Sequence, residues 1–321
     1  MLFQNLLLRK LKKKKLNKTK KVQFELFFSY TELGDVMTKK KIIQILTVSL
    51  LMLFSFFYTN KSIELIRETD PLMKKIKATT EKYKVEAVDA KIIGNKIIPG
   101  KTGKEIDYQK SYTKMIQYGS YNEVLTTFKE VTPAISIDDY YDKYIVQGNS
   151  ENKAVSLVFK TNTTTNLQDI VNILNSKNIP GTFFIDGLLL ENNTSFFETM
   201  TNHELELLSY DNKYDQIYFE SAINYLNSLT KTSPKYCYAE YDQKEVIELC
   251  SSLKMHTIIP TIKTTKEPFK EVKNSLHNSA IISLPLSAIT TKQLPSIIDY
   301  ITQKGYSFET LSTLLSESAE K

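Results

Sequence analysis

From Lys153 onward, short runs rich in β-branched and aromatic residues alternate with stretches whose apolar residues return every three or four positions. The candidate strands are 155–159, 182–186, 205–209, 236–240, 256–261, 280–286 and 306–310. Between them the spacing is helical. Leu167, Ile170, Val171 and Leu174 fall at i, i+3, i+4 and i+7, behind a Thr165-x-x-Gln168 pair with capping-box spacing. Leu294, Ile297, Ile298 and Ile301 repeat the pattern ahead of a stop at Gly305. Seven successive strand and helix units predict a parallel sheet, open or closed into a barrel, with function at the C-terminal ends of the strands.

Upstream the pattern differs. The run from Ile42 to Tyr58, IIQILTVSLLMLFSFFY, is 17 residues without a charge, between Lys39, Lys40 and Lys41 on one side and Lys61 on the other. That is the short end of what spans a bilayer, roughly 17–25 residues. No small-x-small cleavage site follows, so an uncleaved anchor is favoured over a cleaved signal. The lysines then place the N-terminus in the cytoplasm and residues 62 onward outside. Met37 heads a natural start for such a segment, and translation is expected to begin there, leaving 1–36 as an extension.

Residues 62–90 read as a charged helical stalk broken at Pro71, and 91–150 as a small α+β unit with a helix near 107–118. Gly94-Asn-Lys-Ile-Ile-Pro-Gly100-Lys101-Thr102 resembles a phosphate loop but has five residues between its glycines where that loop needs four. It is read as a hairpin turn. The organisation expected is therefore 1–36 extension, 37–60 flank and anchor, 61–150 stalk and small region, and 151–321 main domain.

Charge narrows the function. Residues 1–41 hold 12 Lys/Arg and 3 Asp/Glu, so the rest carries 30 against 33, a balance of −3. The basic block belongs to the targeting flank, and the folded part has no basic face for nucleic acid. With 9 glycines and no tryptophan, the 19 tyrosines must supply any aromatic surface.

Four stretches carry a resemblance: Lys153-Ala-Val-Ser-Leu-Val-Phe, Ile179-Pro-Gly-Thr-Phe-Phe-Ile-Asp-Gly187, Asn202-His-Glu-Leu, and Leu294-Pro-Ser-Ile-Ile with Lys304-Gly-Tyr-Ser-Phe-Glu-Thr-Leu-Ser-Thr-Leu-Leu315. In order and spacing they resemble the NodB-homology polysaccharide deacetylases, carbohydrate esterase family 4, over about 153–317. The resemblance implies a distorted (β/α)7 barrel in an α/β fold class, a cell-envelope location, and hydrolysis of N-acetyl groups on polysaccharide by a water held on a divalent metal such as zinc.

The residues that would do this chemistry are replaced. The family's Thr-Phe-Asp-Asp-Gly becomes Val158-Phe159-Lys160-Thr161-Asn162, which puts a lysine at the base and a threonine at a metal ligand. The two histidine ligands fall on Leu208 and Asn212, the Arg-Pro-Pro-Tyr-Gly groove wall on Tyr238-Ala239-Glu240-Tyr241-Asp242, and the acid's phrase on Ile282-Ser283-Leu284-Pro285-Leu286. No catalytic residue and no metal or other cofactor is therefore expected. His203, His256 and His277 are isolated from one another and read as structural or solvent-exposed.

What remains at the strand ends is polar: Lys160, Thr161, Asp211, Asn212, Glu240 and Tyr241, with Asp242 beside them. Hydroxyl-rich sugars suit such a rim, and a mutually neutralising pair of Lys160 with a nearby carboxylate suits it equally. Three functions stay open. One is an inactive ectodomain that binds cell-wall glycan. Another is a scaffold for an envelope protein acting through 61–150. The third is a hydrolase built on Asp211, Asp215 and Glu240. Cys237 and Cys250 are expected to lie too far apart to bridge, as free buried thiols, with a disulfide open if the compartment is oxidising.

Overall fold

A computed structural model describes residues 39–318, except the side chains of 39–42, 60 and 62–66. It falls into two units, residues 1–75 and 76–321. In the first, α1 (Lys39–Thr69) takes in the whole uncharged run. Its apolar side chains are exposed on every side, Leu46, Leu50, Leu53 and Phe57 along one stripe and Ile45, Met52 and Phe56 along another. Among the described residues no helix is long and apolar enough to cross a membrane. The expected extension 1–36 and the side chains of Lys39, Lys40 and Lys41 lie outside the described residues. The helix stops at Asp70, whose carboxylate accepts the Leu72 N–H at 2.7 Å and opens α2 (Pro71–Ala78) with proline at its first position.

After a one-turn helix at Thr80–Tyr83, the second unit forms β1 (Lys91–Ile93) and β2 (Lys96–Ile98), an antiparallel hairpin turning at Gly94-Asn95 with Gly94 at φ 63°. The glycine there serves the left-handed turn and no phosphate cradle forms. β3 (Gly103–Ile106), α3 (Tyr108–Tyr118) and β4 (Phe128–Val131) follow, with Asp107 capping the helix through the Lys110 N–H. β5 (Tyr144–Ile145) closes the region.

The alternation then runs β6 (Ala154–Thr161), α4 (Leu167–Ser176), β7 (Thr182–Asp186), α5 (Gly187–Asn192), β8 (Glu204–Ser209) and α6 (Gln216–Thr230). It continues through β9 (Tyr236–Tyr238), α7 (Lys244–Ser252), β10 (His256–Ile258), β11 (Ile262–Lys263), α8 (Pro268–Ser275), β12 (Ala280–Leu284), α9 (Ala288–Gln303) and β13 (Ser307–Phe308). All seven expected strands are present, and β11 is an additional one.

The strands form three sheets, β11-β12-β6-β7-β8 with β13 beside the start of β6, β1-β2-β5-β10-β9, and the antiparallel pair β3-β4. Every pairing from β6 to β13 is parallel. Among the described residues no ladder joins β8 to β9 or β10 to β11. At the second gap β5 lies beside β10, pairing Tyr144 with Thr257 and Ile145 with Ile258, so residues 76–150 and 151–318 share a sheet.

Alternation along each strand builds two cores. Val155, Leu157 and Phe159 of β6, with Phe183 and Ile185 of β7, face Leu167, Ile170, Val171 and Leu174 of α4. Phe159 and Phe183 stack with centroids 4.8 Å apart. The opposite faces supply Ala154, Val158, Phe184, Leu208, Tyr238, Ile258 and Ile281 to a second cluster inside the strand array. Burying each such side chain is worth about 1.5–3 kcal/mol, so the apolar period fixes which face of each element turns inward.

Two expectations are corrected. Thr165 does not cap α4: the N-cap is Asn166, at φ 58° with no side-chain cap bond, while the Thr165 hydroxyl accepts from Thr163 at 3.1 Å. Asparagine tolerates the left-handed region, so the chain turns there instead. The two cysteines, expected as free thiols, form a disulfide with a Cα separation of 6.4 Å, inside the bridging range of roughly 4.4–6.8 Å. Because α7 packs directly back on the strand it follows, its far end returns to the middle of β9.

Candidate functional site

Lys160 lies on β6 in register with Ala154 and Val158, on the face turned to the interior cluster. Its Nζ sits 3.3 Å from Glu240 Oε1, just past the end of β9, and both side chains are 41% exposed. The other carboxylate oxygen accepts the Tyr238 hydroxyl at 3.2 Å. Tyr238 is buried, and its hydroxyl is 2.9 Å from Ser283 Oγ on β12. Since the phenol proton goes to Glu240, the serine must donate to the phenol oxygen.

The chain Ser283 to Tyr238 to Glu240 to Lys160 therefore crosses the mouth of the strand array. Glu240 is held further through its backbone, its N–H on Gln243 Oε1 at 3.0 Å and its carbonyl on the Lys263 ammonium. Burial, reinforced by the Glu240 charge, pushes the Tyr238 phenol well above its usual range, so it stays a neutral donor. Beneath it the Phe184 ring meets the Tyr238 ring edge-on at 5.4 Å, and Leu208 and Ile281 fill the space around them.

The other candidates are placed elsewhere on the rim. Thr161 is fully buried, paired across to Ile185 on the helix-facing side, with its hydroxyl on the Phe159 carbonyl at 3.3 Å. Asp211 and Asn212, at φ 52° and 58°, are the exposed centre of a tight turn closed by Tyr210 and Lys213. Their hydrogen bonds run to Asp186 and not to the Lys160–Glu240 pair. Tyr241 stands 66% exposed beside Glu240, and the Asp242 carboxylate accepts from the Asn95 side-chain amide.

Asp186 is a residue the sequence reading missed. Buried at the end of β7, it accepts the N–H groups of Leu188, Leu189, Asp211 and Asn212 and the Ser209 hydroxyl, at 2.7–3.4 Å. It caps α5 and fixes the turn after β8 with the same carboxylate. Aspartate at a strand end immediately before a helix is the signal that could have found it.

These residues do not fit a metal. Leu208 offers no ligand atom, Asn212 is exposed at a turn and meets Asp186 only through its backbone N–H, the Thr161 hydroxyl is buried on a carbonyl, and Asp186 already takes five donors. Among the described residues no group of three or more His, Cys, Asp or Glu could hold a metal ion. The histidines sit apart. His203 accepts the Gly181 N–H on Nδ1 at 3.2 Å, His256 stacks on Tyr141 with Nε2 3.1 Å from Asp138, and His277 lies against the Ser275 carbonyl. Burial lowers the first two, which favours neutral rings.

The three carboxylates considered for a different chemistry are all engaged. Asp211 pairs with Lys213 at 3.2 Å, Asp215 caps α6 through Ile217 and Tyr218, and Glu240 holds Lys160. At the opposite end of the strands a cavity of about 580 Å³ is lined by His203, Glu204, Glu206, Lys235 and Ser312, among others. There Glu206 is buried, and one of its oxygens accepts both the Lys235 and Tyr236 N–H groups at 2.8 and 2.9 Å. It joins β8 to β9 where no ladder does.

Comparison with known proteins agrees with this geometry. No family model matches the chain. The uncharacterized protein YlxY of Bacillus subtilis (strain 168) is 23% identical over 270 residues, 78% of this chain and 85% of that protein. The crystal structure of wild-type BA3943, a CE4 family pseudoenzyme from Bacillus anthracis, is similar with a TM-score of 0.60 at 22% identity, over 78% of this chain and 97% of that one. A BA3943 mutant with restored enzymatic activity gives 0.60 at 23%, over 78% and 100%. The chain therefore has the fold of the family 4 carbohydrate esterases, and among the described residues no cluster of side chains could hold a metal.

Proposed function

We propose that this chain, built on the family 4 carbohydrate esterase fold, is a catalytically inactive, glycan-binding protein of the cell envelope. The observation that carries the reading is the Lys160–Glu240 pair, which sets an ammonium and its counter-charge where a deacetylase would need a base and a metal-held water. Glu240, the carboxylate at that place, is taken up by Lys160 and Tyr238, and among the described residues no set of ligating groups could hold a metal. The groups that remain, the Glu240 carboxylate, the Lys160 ammonium and the exposed Tyr241 ring, suit the hydroxyls and apolar face of a sugar. The similar BA3943 is itself described as a pseudoenzyme, which supports the loss of activity in this chain.

The same proposal includes a barrel of the deacetylase type and a membrane anchor through Ile42 to Tyr58. Supporting the anchor, the run is helical with the described apolar side chains exposed, a surface that water does not favour, although among the described residues no helix is long and apolar enough for a full membrane span. Residues 62 onward would then face outward.

The test is retention of the full chain on peptidoglycan, with membrane fractionation alongside. Retention weakened by Glu240→Ala and Tyr241→Ala is expected, with no acetate released from acetylated amino sugars with or without zinc. Release of acetate would overturn the inactive reading. Absence of any retention, with crosslinks from 61–150 to an envelope protein, would replace the glycan by a protein partner.

A further inference from the structure

Tyr210, just past β8, and Tyr218, in the first turn of α6, stack with centroids 5.2 Å apart and ring planes 19° from parallel. The inner ring is fixed from two sides. Its hydroxyl donates to Glu191 Oε2 at 3.1 Å, and its edge occupies space that only a glycine leaves: a Cβ on Gly187 would meet Tyr210 Cδ2 at 2.6 Å. The outer ring, Tyr218, is backed by Tyr210 and is 56% exposed. Asp215 accepts the Tyr218 N–H at 3.3 Å, which holds the backbone beneath it.

A flat aromatic ring held in advance, with one face open, loses little conformational freedom when something lies against it. The surroundings select what that is. Glu191 of α5 bonds the inner ring, Asp211, Asp215 and Glu220 lie along the turn and helix that carry the pair, and the one lysine among them, Lys213, is spent on Asp211. Excess carboxylate repels anionic lipid and anionic polymers. Hydroxyl-bearing rings, by contrast, combine an apolar face for the tyrosine with edge donors for the carboxylates. The position is on the glycan rim itself: Tyr210 follows the C-terminal end of β8, parallel to β7 and β6, and Lys160 and Glu240 stand at the same ends of β6 and β9.

We propose that Tyr218, backed by Tyr210 and Gly187, is a stacking subsite for a pyranose ring without negative charge, beside the Lys160–Glu240 cleft. This rests on the glycan-binding reading and adds a second point of contact, so that a chain of several sugars spans from Tyr241 to Tyr218.

The test measures binding of the full chain, in detergent, to an N-acetylglucosamine oligomer and to polygalacturonate. Tyr218→Ala is expected to weaken the oligomer about tenfold, an effect on the scale of one aromatic contact, while Tyr218→Phe keeps most of it. Polygalacturonate is expected not to bind. Tyr218 is half-exposed, so a thermal melt separates loss of binding from loss of fold. Oligomer binding lowered by Tyr241→Ala but untouched by Tyr218→Ala would overturn the subsite and leave glycan binding standing. Equal binding of polygalacturonate would overturn the charge selection, and no binding of any glycan would remove both.

Discussion

Lys160 Nζ lies 3.3 Å from Glu240 Oε1, and the same carboxylate takes the hydroxyl of the buried Tyr238 through its second oxygen. A cation at the end of β6 is thereby tied to the ends of β9 and β12. The lysine's charge is balanced by a glutamate that follows β9, a strand of the other sheet, so the pair ties the two sheets together at their C-terminal ends.

Half exposure sets the strength of this pair. A double-mutant cycle on Lys160→Ala and Glu240→Ala, followed by denaturant unfolding, is expected to give a coupling of about 0.2–1 kcal/mol, because solvent screens both charges. A coupling above about 2 kcal/mol would mean that the pair acts as a buried one and is a main element of the fold.

The disulfide predicts a larger effect. Cys237 and Cys250 are 13 residues apart in sequence, and closing a loop of that size stabilises by about 3 kcal/mol in the chain-entropy account. The Cys237→Ala, Cys250→Ala double variant and the reduced wild type should therefore melt at similar, lowered temperatures. Wild-type protein whose melting is indifferent to reductant would contradict this.

Asp186 links helix, strand and turn. Asp186→Ala strips the acceptor from four backbone N–H groups and one hydroxyl, and a cost of about 2–4 kcal/mol is expected from lost charge-assisted bonds and a lost cap. Asp186→Asn keeps one acceptor oxygen and should recover part of it. Amide exchange at Asp211 and Asn212 is the local readout: protection there that survives Asp186→Ala would show the turn to be held by something else.

Much of this was legible in the sequence for a physical reason. Leu167, Ile170, Val171 and Leu174 are all buried, because only one face of α4 meets the sheet and the period records that face. The strand at 182–186 is found with the same limits, since a continuous apolar run covered on both faces has few alternatives. Lys160 stands at the end of β6, where the strand pattern placed it, because the flanking apolar run fixes its register.

The illegible parts are non-local. β5 is two residues long and has no period of its own, and only its partners β2 and β10 define it. The bond between Cys237 and Cys250 depends on how closely α7 folds back, which spacing alone does not state. Tyr210 and Tyr218 belong to different elements and meet only because Gly187, on a third, leaves room.

Glu206 yields a pH dependence of definite sign. Burial first, and then the nearby Glu204 charge, raise its carboxyl well above the ordinary 4.5, against the lowering effect of the Tyr236 and Lys235 N–H groups. A carboxyl raised in the folded state binds more protons folded than unfolded over the interval between the two values. Its contribution is therefore most favourable below about 4.5 and is lost progressively as pH rises toward the folded value. Glu206→Gln retains a carbonyl oxygen that can accept from Lys235 and Tyr236 but has nothing to ionise. Relative to wild type, the variant should gain stability steadily between pH values of about 5 and 8, read as a difference in melting temperature. If that difference is flat across the range, or runs the other way, Glu206 is ionised in the folded protein and the bridge from β8 to β9 is a charged one.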